Sequence, residues 1–397
     1  MAGDRLERAA AARREAIEGR GRVPQTVYIE PPSHHFARDR LFQEDAVPFA
    51  GDRIMAPYAC VREVLGARGI AVHTADLMPP AASSSHLLYV TIGNLANCRT
   101  LAERPDVTMS ALFAMECPVM DPGLYRGLRD AQKLFRRIFS WSDSASLEQF
   151  TGGPLRLEPF CWPQSFDDVH EEIWRNEDRR FMVMMNGNKL PALDSQSLHA
   201  ERLRALHYFE QFGEIDLYGR EWDQAPHRVG RPGTPYTVRR LERAIRTQWL
   251  RLRPDPLLES ARRAWKGATR SKSRTLGAYA FAICFENMSI RGWVTEKIFD
   301  CFFSGTIPIY RGATDVERRI PPDCFIDMRR FDSYAELRVF LKSLSSGELR
   351  GYRERARAYL RSDAFYPFSK RAFADVFLRI VEQDAGETNG RIAVADA

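Results

Sequence analysis

Short apolar runs alternate along this chain with stretches whose apolar residues recur at helical spacing, and the alternation begins at Val27. Residues 27–29, 69–74, 86–92 and 107–115 read as buried strands, with a helix over 59–67 between the first two. The last of these runs ends on Glu116. A proline-rich passage over 154–166 and a charged, helix-like stretch over 167–179 interrupt the pattern. It then restarts with a strand at 181–185, a helix at 198–212 and a strand at 215–219. A basic, proline-punctuated insertion over 230–274 reads as loops and short helices. After it come an apolar strand that ends on Glu286 and Asn287, a helix over 298–303 and a strand over 306–310. Helices over 335–344, 349–360 and 371–382 close the chain, with 383–397 read as frayed.

Strands that alternate with helices specify an α/β protein with mostly parallel, doubly wound sheets. The interruption places a domain junction near residue 175, giving two α/β domains over 22–175 and 176–345. A helical extension over 1–21 precedes them, and C-terminal helices with a tail occupy 346–397. A chain of 397 residues, 44% hydrophobic, has enough apolar material for two cores.

Charge narrows the partners only slightly. The 58 Lys+Arg against 52 Asp+Glu leave a formal charge of +6, which suits an anionic ligand. The basic residues are interspersed with acidic ones and form no zinc-finger, RNP-type or basic-zipper pattern, so nucleic acid is not the expected partner. Seven scattered cysteines, mostly within apolar runs, read as reduced buried thiols, and no metal-ligand spacing occurs. The longest apolar stretch, 298–310, is too short to span a bilayer and is broken by Asp300, Gly305 and Pro308. A cytoplasmic protein is expected, peripheral to the inner membrane at most.

Chemistry concentrates around the strand that ends at Glu286. In open α/β sheets ligands sit beyond the carboxyl ends of strands, and helix N-termini hold phosphate. Glu286, Asn287 and the turn Thr295-Glu296-Lys297 before the next helix therefore belong to one crevice. A Glu-Lys pair at a helix start taken alone is more often a cap and a solvated charge. Twelve residues that collect all of these groups are harder to explain by capping.

The motifs Phe285-Glu-Asn287, Gly292-Trp-Val-Thr-Glu-Lys-Ile298 and Gly305-Thr-Ile-Pro-Ile-Tyr-Arg-Gly312 resemble the donor-binding signature of glycosyltransferase family 10, the α-1,3/α-1,4-fucosyltransferases. The likeness continues through Ile320-Pro-Pro-Asp-Cys-Phe-Ile-Asp327, reaches upstream to Ile215-Asp-Leu-Tyr-Gly-Arg220, and extends more loosely to Val27. The resemblance implies a GT-B architecture, two Rossmann-like domains facing a cleft. It also implies GDP-fucose as donor, inversion at the anomeric carbon, and neither a metal nor another cofactor. The sequence has no Asp-x-Asp of the kind that holds a divalent cation, so protein cations would neutralise the diphosphate. A helix arginine that grips the diphosphate in the family has its nearest match in Arg202, with Arg204 as the alternative register. Lys297 would face the diphosphate, Glu296 the ribose hydroxyls, and Glu286 with Asn287 the sugar. The family's acceptor-side base matches Glu116 in Met115-Glu-Cys-Pro118. A strand-ending, partly desolvated carboxylate also suits that role on its own terms.

Two departures from the family pattern stand out. Trp293 occupies the place where the family usually has tyrosine; an indole can stack and donate one N–H but cannot accept as a phenol can. No stretch of the sequence reads as the membrane anchor that animal and plant members carry, so a bacterial-type member is expected. The acceptor is expected to be an oligosaccharide or glycolipid, bound by loops around 31–47 and 118–128. Two rival readings remain: a GT-B transferase with a different nucleotide-sugar donor, and a catalytically inactive glycan-binding protein on the same fold.

Overall fold

A computed structural model describes residues 26–44, 52–81, 86–229 and 236–395. The extension 1–21, residues 45–47 of the first acceptor loop and the first six residues of the basic insertion lie outside the described residues.

The first sheet contains six strands, all parallel. They are β1 (Thr26–Glu30), β2 (Ala71–Thr74), β3 (Leu87–Thr91), β4 (Val107–Ala114), β5 (Arg137–Ser140) and β6 (Glu158–Pro159), in the order β2-β1-β3-β4-β5-β6. β3 is buried along its whole length and so is most of β4, the pattern of strands covered on both faces. Helices α1 (Ala56–Gly66), α2 (Cys98–Ala102), α3 (Pro122–Leu134) and α4 (Ser144–Thr151) join or flank them. The short α5 (Glu171–Trp174) leads to the second sheet.

That sheet is also parallel, built from β7 (Arg180–Met185), β9 (Ile215–Tyr218), β11 (Tyr279–Phe285), β12 (Ile307–Arg311) and β13 (Ile326–Asp327) in the order β13-β12-β11-β7-β9. Two-residue strands β8 (Lys189–Leu190) and β10 (His227–Arg228) pair separately beyond its carboxyl edge. Helices α6 (His199–Glu210), α7 (Tyr236–Leu252), α8 (Pro256–Ala264), α9 (Lys272–Leu276) and α10 (Glu296–Ser304) belong to this half. α11 (Tyr334–Ser343), α12 (Ser346–Leu360) and α13 (Lys370–Ala395) complete the chain. The α/β, GT-B type architecture with C-terminal helices expected from the sequence is the one observed.

Two long-range features tie the halves together. α13 returns to the first sheet, where Phe377 stacks on Phe113 at 5.2 Å and Phe113 stacks on Phe139 at 4.6 Å. The segment after β11 plugs into the same core, which buries Met288, Ile290 and Trp293.

Several local readings need correction. The stretch 167–179 is helical only at Glu171–Trp174, because the Arg179 guanidinium takes the carbonyls of Ile173, Trp174 and Asn176 and links them to Tyr279 and Ser304. The insertion over 230–274 contains a 17-residue helix, α7, which its density of arginine concealed. Residues 383–395 continue α13 instead of fraying: Asp384 is buried and paired with Arg136 and Arg137, each at 2.8 Å. The acceptor loop over 118–128 is largely the start of α3, capped by the Asp121 side chain on Leu124 N at 3.1 Å. β5 and α4 had no counterpart in the sequence reading.

Candidate active site

The carboxyl ends of β4 and β11 meet, which brings Glu116 to the segment Glu286–Lys297 although 170 positions separate Glu116 from Glu286 in sequence. Asn287 Nδ2 lies 3.4 Å from Glu116 Oε1. Glu116 is half-buried, and its Oε1 accepts the Cys117 N–H at 2.9 Å. Tyr125 fixes the backbone there by donating to the Glu116 carbonyl at 2.7 Å. Burial pushes the Glu116 carboxyl above its ordinary range, against the opposing Cys117 N–H and the field of Lys297.

Glu286 has a different setting. It is 0% exposed, at the close-packed junction of β11 with β12. Its carboxylate accepts the Thr295 N–H at 2.9 Å and the Thr295 hydroxyl at 2.8 Å, and it pairs with Lys297 Nζ at 3.1 Å. Gly312 allows this packing, since a Cβ there would lie 2.4 Å from Glu286 Cγ. Glu286 therefore holds the turn in place, with its carboxylate committed to Thr295 and Lys297. Thr295, also buried, is committed to Glu286 and does not cap α10 with its side chain.

Lys297 and Glu296 are the open members of the cluster, with 24% and 32% of their side chains exposed. Lys297 Nζ contacts Thr295 Oγ1 at 3.0 Å and Glu296 Oε1 at 3.4 Å. Burial works against the Lys297 charge, but Glu286 and Glu296 overcome it and hold the ammonium above its ordinary value. Burial likewise opposes the Glu296 charge, and the fields of Lys297 and Lys272 prevail and lower it to about 2. Both groups are therefore ionised at neutral pH. An ammonium at the start of a helix can meet phosphate, and a carboxylate can accept from paired hydroxyls.

Arg202 lies beneath this surface. Its Nε and Nη2 donate to the Phe285 carbonyl at 3.0 and 2.7 Å, Nη2 to Asn287 Oδ1 at 3.0 Å and Nη1 to Asn186 Oδ1 at 3.1 Å. The guanidinium thus joins the ends of β7 and β11 and orients the amide that reaches Glu116. Arg204 points away, more than half exposed and paired with Glu201 at 2.9 Å. Trp293 is not a free stacking surface. It is buried against Trp141, with ring centroids 4.4 Å apart, and edge-on to Trp162 at 5.5 Å. Gly292, at φ 77°, lets this contact form, because a Cβ there would lie 2.2 Å from the Trp141 carbonyl oxygen.

Sequence reading missed Asn186 and Asp315. Asn186 follows an apolar strand as Asn287 does, so the strand-end rule applied to 181–185 would have found it. Asp315 accepts the Gly292 N–H at 2.8 Å and had no local signal.

Two parallel-sheet domains that bring polar strand ends together across a junction form the GT-B arrangement. Residues 258–359 match the model for "Glycosyltransferase family 10 (fucosyltransferase) C-term", so over this stretch the resemblance read from the sequence is confirmed. The chain is 40% identical over 75 residues to "Alpha-(1,3)-fucosyltransferase FucT" of Helicobacter pylori, covering 19% of this chain and 16% of that protein. It is 41% identical over 66 residues to "Alpha-(1,4)-fucosyltransferase" of Arabidopsis thaliana, covering 17% of this chain and 16% of that one. The match therefore spans 16% of the length of each of these curated relatives. A solved structure of an "alpha1,3-Fucosyltransferase" aligns over 91% of this chain and 92% of its own, at 14% identity and a TM-score of 0.48. No helix among the described residues is long and apolar enough to cross a membrane.

Proposed function

We propose that this chain transfers L-fucose from GDP-fucose to a hydroxyl of an oligosaccharide or glycolipid, O3 of a GlcNAc- or hexose-type residue, with inversion and without a metal. The family match and the names of the two relatives support the donor. The single observation that carries the mechanism is the approach of Asn287 Nδ2 to Glu116 Oε1 at 3.4 Å, which sets a carboxylate of raised pKa beside the donor-side turn.

In this reading Glu116 accepts the proton of the acceptor hydroxyl as its oxygen bonds to the anomeric carbon. The bond from that carbon to the diphosphate oxygen breaks, and GDP leaves with the electron pair. Lys297 meets the charge that develops on the diphosphate, and Glu296 accepts from the ribose hydroxyls. Asn287 is the donor-side amide nearest the reacting centre. Glu286, Thr295 and Arg202 are positioning residues that fix Lys297 and Asn287.

The test offers GDP-fucose, GDP-mannose and UDP-sugars to the full chain with a panel of glycans and EDTA present. GDP release with a fucosylated product of inverted anomeric configuration is expected from GDP-fucose alone. Turnover of another donor in its place would overturn the donor assignment. Glycan binding without turnover of any donor would favour a non-catalytic glycan-binding protein.

A further inference from the structure

The helix α7 presents an apolar stripe that none of the described residues covers. Val238, Leu241, Ile245, Trp249 and Leu252 are between 43% and 80% exposed. Their spacing of three, four, four and three places them within about 80° of one another around the helix axis. The opposite face attaches the helix to the domain. Arg243 donates to the Ala225 carbonyl at 3.0 Å and to Glu221 at 3.2 Å, and Leu250 packs against the second domain's core. The stripe therefore points away from the protein. Scattered exposed apolar residues are ordinary, but five in register on one helix mark a contact surface.

Charge identifies what that surface contacts. The helix carries Arg239, Arg240, Arg243, Arg246 and Arg251 against a single acidic residue, Glu242, and Arg253 follows directly, its guanidinium 5.1 Å from the centre of the Trp249 ring. An exposed apolar face that includes tryptophan and leucine, on a helix otherwise dense in arginine, has the composition of a helix that lies in the interface of an anionic bilayer. The same five arginines bar it from crossing one.

We infer that α7 is a membrane-binding helix that docks this protein on anionic lipid, with the stripe from Val238 to Leu252 seated at the level of the lipid headgroups. Glu221 and Ala225, which hold the helix, follow the carboxyl end of β9, the end at which Asn287 follows β11. Docking there sets the bilayer beside the rim of the candidate site. On the transfer reading above, a lipid-linked glycan would meet the site from that side.

Sedimentation of the full chain with phosphatidylglycerol-containing vesicles and with pure phosphatidylcholine vesicles tests the inference without relying on turnover. The chain is expected to partition onto the anionic vesicles, less so at high salt, and the triple variant Leu241→Glu, Ile245→Glu, Trp249→Glu to bind at least about tenfold more weakly. A second variant, Arg240→Glu with Arg251→Glu, keeps the stripe and is expected to lose the preference for anionic over neutral lipid. It decides the question if the triple variant fails to fold. No vesicle binding, or equal binding by wild type and both variants, would overturn the inference. So would a wild-type dimer in the absence of lipid that the triple variant dissolves, since the stripe would then join two copies. Binding to nucleic acid with no affinity for vesicles would overturn it as well.

Discussion

Glu116 and Glu286 occupy equivalent places in the two halves of this molecule, each just beyond the carboxyl end of a buried parallel strand, and they have opposite fates. Glu286 receives an N–H, a hydroxyl and an ammonium, so its charge is fully used inside the protein. Glu116 receives the N–H of its own neighbour and one long contact from Asn287. Burial costs both of them hydration, but only Glu286 is given partners to replace it. A carboxylate with all its partners supplied holds structure. One left short of partners retains proton affinity and can do chemistry.

The sharpest way to break this comparison is Glu116→Gln, which keeps the shape and an acceptor oxygen but removes the base. Turnover is expected to fall by about 10³-fold, while GDP affinity measured by calorimetry stays within about twofold. Parallel losses of both would move Glu116 to the donor side. The pH profile of the wild type belongs to the same test. Because the Glu116 pKa is raised, activity should fall by about tenfold per unit of acidification, starting above the ordinary carboxylate range. The stability contribution has the opposite sense: it is fully present below the unfolded-state pKa of Glu116 and lost as pH rises through the folded value. Glu116→Gln should remove both dependences.

Glu286→Gln probes the other side and should cost about 3 kcal/mol of stability, because it leaves Lys297 short of its buried counter-charge. Chemical denaturation checks this. A variant as stable as wild type that changed donor selectivity instead would make Glu286 a substrate ligand. Lys297→Ala is expected to weaken GDP binding by about 10- to 100-fold with EDTA present, the range of a charge-assisted hydrogen bond. Unchanged affinity would remove Lys297 from the donor site. The smallest effect is reserved for Arg204→Ala, expected to alter GDP affinity by less than about twofold because that side chain is solvated beside Glu201. A larger loss there would restore the alternative register over Arg202.

Much of this molecule follows from local pattern. The strands that begin near Val27, Val107, Phe181 and Ala280, and the polar residues Glu116, Glu286 and Asn287 that end two of them, are legible because a buried strand requires an unbroken apolar run and ends where it meets water. The donor-side turn was also legible, since Thr295, Glu296 and Lys297 precede an amphipathic helix. Arginine-rich α7 was not, because proline at both ends and charge throughout disguised its helical spacing. Only the tertiary structure decided that Asn287 reaches Glu116, that Glu286 is sealed under Gly312, that Trp293 belongs to an interdomain core, and that α13 crosses back to Phe113. Sequence periodicity reports which face of an element avoids water, whereas the neighbour that covers that face is set by packing between segments far apart in the chain. That is why two glutamates with the same local signature end in different chemistry.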